Sequence, residues 1–429
     1  MTIKNFLLGV VISVVFIFSC QNVKKGSTNK TEYQVKAADI LGNPNYLAIS
    51  YGGYREKTRE VQPTITELKE DLKILSAMGI KIIRTYNVQP KLPHASNILK
   101  AISEMKAEDP DFEMYVMLGA WIDCLNAWTE KVPNHNVESP NNEGEIKRAV
   151  ALANKYPDIV KVIAVGNEAM VKWATSYYVQ PSVILKWVTH LQDLKKKGQL
   201  SKDLWITSSD DFSSWGGGDS LYHVEDLEKL YKAVDYISMH TYPYHNTHYN
   251  PQFWGVPDEQ KNMPDSTKVE MAMERAIKFS QKQYDSVSSY MKNIGVNKPI
   301  HIGETGWASI SSGHYGANGS KATDEYKQGL FYKQMRSWTN KNNISCFYFE
   351  AFNEKWKDKH NPKGSENHFG LFTIDGQAKY PIWDLVDQGI FEGLTRNGNP
   401  ITKTYDGDKS VLKETVLVPP TEAEAMAPK

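Results

Sequence analysis

Residues 64–86 of this 429-residue chain, TITELKEDLKILSAMGIKIIRTY, contain one helix followed by one strand. Apolar residues recur at steps of three and four across 65–78, which predicts an amphipathic helix. Thr64 and Glu67 have the spacing of a capping box, and Gly79 is placed to end the helix in the left-handed conformation. The apolar, β-branched run after this glycine predicts a strand.

The same alternation of strand and helix recurs along the chain. Eight apolar, β-rich runs are predicted strands: 46–51, 80–86, 113–120, 160–166, 204–208, 234–240, 299–304 and 344–349. Further helical patterns occupy 143–155, 183–197, 269–292, 323–339 and 381–389. This alternation fits either a closed barrel or an open, doubly wound parallel sheet. The number of strands favours an α/β fold of the (β/α)₈ TIM barrel type, in a single catalytic domain.

Two common kinds of cofactor site have no support in the sequence. Tyr51-Gly52-Gly53-Tyr54, after the first predicted strand, lacks the GxGxxG spacing of a dinucleotide-binding loop. Cys124 and Cys346 lie in apolar, strand-like contexts without zinc-type spacing, so we expect buried free thiols. We therefore predict no cofactor and no metal.

The charge balance limits the class of partner. The chain has 50 Lys and Arg residues and 50 Asp and Glu residues, so its formal net charge is zero. Nucleic acid and anionic surfaces are not indicated as partners, and an acidic polymer is disfavoured as a substrate. We expect a monomer.

The first residues have the pattern of a secretory signal. Lys4 precedes an apolar run at 6–18, which is shorter than the roughly 20 residues that span a membrane. The following Ser19-Cys20 completes a segment that resembles a bacterial lipobox, in which the cysteine is lipidated after cleavage. An ordinary secretory signal with a chance cysteine is the alternative. We expect a protein of the bacterial cell envelope, anchored to a membrane only through lipid on Cys20.

These features predict four regions. They are a lipoprotein signal peptide at 1–20, a polar tether at 21–42, the (β/α)₈ catalytic domain at 43–391 and a C-terminal extension at 392–429. Within the extension, Asp406-Gly407-Asp408 suggests a short hairpin, followed by a frayed tail.

Two glutamates end predicted strands. Glu168 ends the fourth strand and Glu304 ends the seventh, and catalytic groups of such barrels come from the C-terminal ends of strands. Strands four and seven face each other across a barrel, so the pair has the arrangement of a glycosidase. Carboxyl groups about 5 to 5.5 Å apart would give a retaining mechanism, with one nucleophile and one acid/base. The alternative is that each acid simply begins a helix, where the macrodipole favours negative charge.

The residues around both glutamates resemble a known family. Residues 165–168 (VGNE) and 303–307 (GETGW) are similar to the acid/base and nucleophile signatures of glycoside hydrolase family 17, the β-1,3-glucanases. Residues 352–357 (FNEKWK) and 366–372 (ENHFGLF) resemble the segments that follow strand eight in that family. The resemblance covers most of the predicted barrel.

The resemblance implies a role for several residues. It makes Glu168 the general acid/base and Glu304 the nucleophile. Asn167 would bind the 2-hydroxyl of the sugar, and Tyr242 would orient Glu304.

The resemblance also implies the surroundings of the site. Three aromatic residues would form walls at the scissile bond: Tyr51, Tyr86 and Trp307. Three charged residues would form a network near the acid/base: Glu354, Lys357 and Glu366. Asn353 replaces the commoner Asp, which puts the charge of that network in question. Four tryptophans could form outer stacking subsites or be buried: Trp121, Trp128, Trp173 and Trp215.

Three functions follow as alternatives. The first is an endo-acting hydrolase of β-1,3-glucan such as laminarin, with a two-carboxylate double displacement. The second is a β-1,3-glucan transglycosylase, because sugar can replace water in the second step. The third is a glucan-binding lipoprotein without catalysis, which the two opposed carboxyls argue against.

Overall fold

The structure is a computed structural model and describes residues 34–427. From Val35 onward the chain forms one compact unit. Its centre is a closed barrel of eight parallel strands. They are β1 Leu47–Ser50, β2 Ile80–Arg84, β3 Tyr115–Ala120, β4 Val160–Asn167, β5 Trp205–Asp211, β6 Ile237–His240, β7 Ile300–Thr305 and β8 Cys346–Tyr348. Each strand pairs with its neighbours in sequence, and β1 closes the barrel on β8. The predicted TIM barrel is confirmed.

A helix follows each strand. The eight helices are α1 Ile65–Ala77, α2 His94–Glu108, α3 Asn142–Lys155, α4 Pro181–Lys196, α5 Glu225–Ala233, α6 Asp265–Asn293, α7 Glu325–Lys341 and α8 Trp383–Asp387. The sequence patterns did not name α2 or α5, although both bury an apolar face.

The start of α1 has the predicted capping box. The Thr64 hydroxyl accepts a hydrogen bond from the Glu67 amide at 3.2 Å, and the Glu67 carboxylate accepts one from the Thr64 amide at 2.7 Å. Gly79 has a φ of +83° just after the helix, so this predicted helix end is confirmed.

The apolar core has two parts. The larger lies between the barrel and the helices, and the smaller fills the N-terminal end of the barrel interior. A short helix, Ala37–Ile40, contributes Ile40 and Leu41 to this smaller cluster. The predicted domain start at residue 43 is therefore too late, because buried side chains before it close the barrel.

The C-terminal segment also packs on the barrel. Its hairpin pairs Thr395–Arg396 with Asn399–Pro400 and turns at Asn397-Gly398, whose positive φ values suit a tight hairpin turn. The hairpin expected around Asp406 is wrong, because that stretch is a 3₁₀ turn, Thr404–Gly407. The frayed tail is wrong as well, because the last described helix, Glu422–Met426, buries its Ala425.

Other predictions concern the ends of the chain and the cysteines. The signal peptide, Cys20 and most of the tether lie outside the described residues. Within residues 34–427, the structure has no helix that is both long and apolar enough to cross a membrane. Cys124 and Cys346 are buried free thiols, as expected.

Candidate active site

Two carboxylates face each other at the C-terminal end of the barrel. Glu304 belongs to β7, and Glu168 immediately follows β4. One oxygen of each carboxylate and one ring nitrogen of His240 all lie within 4.8 Å of one another. This spacing fits the separation of about 5 to 5.5 Å found in retaining glycosidases.

Glu304 is held in its ionised form. The Tyr242 hydroxyl donates to its Oε1 at 2.6 Å, and an Arg84 guanidinium nitrogen donates to its Oε2. Burial alone would raise the pKa of Glu304. The positive charge of Arg84 and the hydrogen bonds donated by Tyr242 and Arg84 outweigh burial, so the pKa lies below its ordinary value.

Glu168 has the opposite electrostatic environment. Burial raises its pKa well above the usual range, and the negative charges of Glu304 and Asp211 raise it further. Its side chain is still 18% exposed, so the carboxyl remains accessible from the cleft. Its backbone has a φ of +46°, an uncommon conformation for a non-glycine residue, and its amide donates to the Ser209 carbonyl at 2.9 Å.

His240 lies beside Glu168. Its Nδ1 lies 3.1 Å from Oε1 of Glu168, and its Nε2 lies 2.8 Å from the Ser209 hydroxyl. Burial lowers the pKa of this histidine to about 4, although Glu304 opposes the shift. The imidazole is therefore neutral near pH 7 and adds no fixed charge beside Glu168.

Arg84 is the fixed positive charge of the site. It ends β2, is 1% exposed, and donates to the Gly303 carbonyl at 3.0 Å and to the Asn167 amide oxygen. Residue 303 has no room for a side chain, because a Cβ there would lie 2.1 Å from the Ser238 hydroxyl. Arg84 therefore joins the ends of β2, β4 and β7.

The three groups Glu168, His240 and Glu304 could also present ligand atoms to a cation. Both oxygens of Glu304 already accept hydrogen bonds, one of them from the cationic Arg84. A second positive charge at this position would be repelled by that guanidinium. The arrangement suits transfer of a proton better than binding of a metal.

The structure brings three further predicted residues to the pair. Tyr242 contacts Glu304, and Asn167 contacts Arg84. The ring of Tyr86 lies against the Arg84 guanidinium, 4.8 Å from ring centre to Cζ. All three predicted side chains are partly exposed and can contact a ligand.

Two predicted sugar-facing walls are wrong. Tyr51 is 1% exposed and donates its hydroxyl to Asp71 at 3.0 Å, within a cluster of buried charges beneath the cleft. Trp307 is fully buried and donates its indole N–H to the Ala322 carbonyl at 2.8 Å. Neither ring has a free face for a sugar.

The predicted charged network exists and has one additional member. Lys357 lies 2.6 Å from a carboxylate oxygen of Glu350 and 3.3 Å from one of Glu354. Burial raises the pKa of Glu366. The positive charge of Lys357 lowers it, and the negative charge of Glu304 raises it. The additional member is Glu350, which lies two residues beyond the end of β8 and which the sequence motifs did not identify.

Asn353 does not add charge to this network. Its amide oxygen accepts a hydrogen bond from Lys379 Nζ at 2.9 Å. Burial lowers the pKa of that lysine to about 8. The neutral amide of Asn353 therefore lies beside a lysine that loses its positive charge more readily than usual.

The four tryptophans fall into different environments. Trp215 is fully buried, so of its two predicted alternatives the structure supports burial and excludes a stacking subsite. Trp128 and Trp173 are 62% and 63% exposed, and Trp121 is partly exposed.

Arg84 and His240 are functional residues that the sequence motifs did not identify. Each is an ionisable residue that ends an apolar strand. That position in a barrel was the signal that could have identified them.

Comparison with known proteins gives consistent results. The family model described as the BtgE/BtgC glycoside hydrolase domain matches residues 48–370. The crystal structure of an endo-laminarinase from Formosa is 68% identical with a TM-score of 0.89, and the match covers 90% of this chain and 98% of that one. A glucan 1,3-beta-glucosidase from Arthroderma benhamiae is 25% identical over 73% of this chain and 83% of the relative. The probable glucan endo-1,3-beta-glucosidase BtgC from Aspergillus flavus is 23% identical over 84% of this chain, but the match spans only 47% of that relative.

Proposed function

Because this chain belongs to the BtgE/BtgC glycoside hydrolase family, we propose that it is an endo-acting, retaining hydrolase of β-1,3-glucan such as laminarin. The family and the resemblance to β-1,3-glucanases agree with the prediction from the motifs. The named activities of the relatives support the choice of β-1,3-glucan.

One observation carries the reaction type: the two carboxylates face each other with oxygens within 4.8 Å, and only Glu304 accepts hydrogen bonds from a cationic arginine and a phenol. Their surroundings accordingly shift their pKa values in opposite directions. In the first step, the Glu304 carboxylate attacks the anomeric carbon. The glycosidic C–O bond breaks, and Glu168 gives its proton to the leaving oxygen. In the second step, Glu168 takes a proton from water, whose oxygen displaces Glu304 and releases the sugar.

Asn167 supports this reaction at the sugar ring. Its amide oxygen accepts from Arg84, which leaves its amide nitrogen as the donor to a substrate hydroxyl. This arrangement supports the 2-hydroxyl contact implied by the family resemblance.

The test is a set of glutamate variants. Glu304→Gln and Glu168→Gln should each lose nearly all release of reducing sugar from laminarin, whereas the exposed Glu143→Gln should not. With azide and an activated aryl glucoside, Glu304→Gly should form an α-glycosyl azide and Glu168→Gly a β-glycosyl azide. Full activity in Glu304→Gln would overturn the assignment.

Product analysis tests the alternative activities. Short products released early from long chains indicate endo hydrolysis. Oligosaccharides longer than the starting substrate would instead establish glucanosyl transfer. Tight laminarin binding without any turnover would establish the non-catalytic binder.

We also propose that lipid on Cys20 holds the protein at the bacterial cell envelope. The apolar run at 6–18 and the lipobox-like residues up to Cys20 support this proposal. In a bacterial host, Cys20→Ser should move the protein from the detergent phase to the aqueous phase. A wild-type protein already in the aqueous phase would refute the anchor.

A further inference from the structure

Three aromatic side chains form a cluster on the loops that follow β3 and β4. They are Trp121, Trp128 and Tyr177, and together they are called the aromatic platform below. Trp128 is stacked on Tyr177, with ring centres 4.9 Å apart and ring planes 21° from parallel. Trp121 lies 5.3 Å from Tyr177 and 6.3 Å from Trp128.

The platform is held in place by its loops. Trp121 donates its indole N–H to Asp123 at 3.2 Å and its backbone N–H to the buried Glu145 at 3.1 Å. The Cys124 amide donates to the Tyr177 carbonyl at 3.1 Å, which ties the two loops together. Cys124 also begins a small hairpin, whose loop carries Trp128. The rings are therefore positioned before any ligand arrives.

Trp128 is unusual for a surface residue. It is 62% exposed, and its backbone φ is +60°, a conformation that a bulky residue rarely adopts. Such strain persists where the surroundings impose it, and it concentrates at functional sites. A large exposed ring in an imposed conformation is a candidate contact surface.

Tyr177 connects the platform to the cleft. Burial raises the pKa of its hydroxyl, and the charges of Glu168, Asp210 and Glu304 raise it further. The catalytic carboxylates are thus within electrostatic range of this tyrosine. Tyr177 is also on the loop that begins with Glu168, so the platform borders the acid/base side of the cleft.

We propose that the aromatic platform is an outer sugar-binding subsite, which binds a glucosyl unit beyond the two that flank the scissile bond. This proposal rests on the proposed β-1,3-glucanase function. The faces of a glucosyl ring present C–H groups, which stack well on indole and phenol rings. Because β-1,3-glucan is uncharged, it can bind a surface that presents aromatic rings instead of charged groups.

The test separates long substrates from short ones. Trp128→Ala should raise the KM for laminarin by about 3- to 10-fold, because one stacked ring is lost. The kcat/KM for an activated aryl β-glucoside, which fills only the two subsites that flank the scissile bond, should not change. Trp128→Phe should recover most of the affinity. The control is Tyr249→Ala, which removes a ring of similar exposure, 65%, that is not part of the aromatic platform.

An unchanged laminarin KM in Trp128→Ala would overturn the subsite, as would an equal loss on both substrates. Failure of the proposed function would look different, because the wild-type protein would then cleave no β-1,3-glucan. Laminarin binding to Glu304→Gln tests the platform without turnover. The added Trp128→Ala change should weaken that binding by the same factor, and equal binding would refute the platform in this assay too.

Discussion

The Tyr242 hydroxyl controls the ionisation of the nucleophile, so Tyr242→Phe should move the pH profile. This hydroxyl donates to Oε1 of Glu304 at 2.6 Å and favours the charged carboxylate. A hydrogen bond to a charged group contributes about 1.5–3 kcal/mol, which corresponds to about one to two pKa units. Loss of a donor to the charged form raises the pKa of Glu304.

The direction in which the pH profile moves follows from this rise in the pKa of Glu304. The active form needs Glu304 ionised and Glu168 protonated, so the acidic limb of kcat/KM reports the first proton lost by the coupled pair. In Tyr242→Phe this limb should shift to higher pH by about one to two units. The basic limb should shift less, and the plateau of activity should therefore narrow.

The assay is initial release of reducing sugar from laminarin across pH at low substrate concentration. Tyr231→Phe is the matched control, because it removes a buried tyrosine hydroxyl that donates to the Trp215 carbonyl outside the barrel interior. Tyr231→Phe can lower the stability of the protein but should not shift the acidic or the basic limb of the pH profile. An acidic limb that Tyr242→Phe leaves unmoved would refute the role of this hydroxyl.

Two further predictions concern stability. Arg396→Met should cost about 1.5–3 kcal/mol in urea unfolding, because Asp71 loses one of its two buried arginine partners and keeps Arg55. Lys147→Met, in a pair whose side chains are 72% and 63% exposed, should cost at most about 1 kcal/mol, and equal costs would contradict the buried pair. Burial lowers the pKa of His94 to about 4 from 6.5, so the unfolded chain alone gains this proton as the pH falls from 6.5 to 4. The His94 contribution to stability therefore declines by up to about 1.4 kcal/mol per pH unit in that window. His94→Gln should flatten this dependence and the exposed His360→Gln should not, and identical slopes would be evidence against the buried neutral histidine.

Much of the barrel could be predicted because its signals are local. Helix α1 shows its apolar stripe, its capping box and its terminal glycine within residues 64–79. The strands are short, apolar and β-branched, and their number indicated closure. The catalytic pair was also accessible, because residues at strand ends of such a barrel meet at one edge.

Burial of individual side chains could not be predicted in the same way. Trp307 follows a strand end like a sugar-binding ring, but its indole N–H meets the Ala322 carbonyl of a distant loop. Tyr51 is buried by a salt-bridge cluster that includes Arg396 from the C-terminal hairpin. These partners are far apart in sequence, and no local pattern indicates them. The contacts of Arg84 could not be predicted for the same reason, since they come from β4 and β7, although its position at a strand end is a local signal.

The division of labour between the carboxylates follows from these long-range contacts. Two buried carboxyls within 4.8 Å of each other do not readily ionise together, so their neighbours decide which one keeps the proton. Glu304 has a cationic donor and a phenol donor, whereas the nearest nitrogen to Glu168 belongs to a neutral imidazole. The fixed charge of Arg84 therefore assigns the nucleophile to β7 and the acid to β4 before any substrate binds. Exchange of these roles would require moving that guanidinium, and its bond to the Gly303 carbonyl holds it on the β7 side.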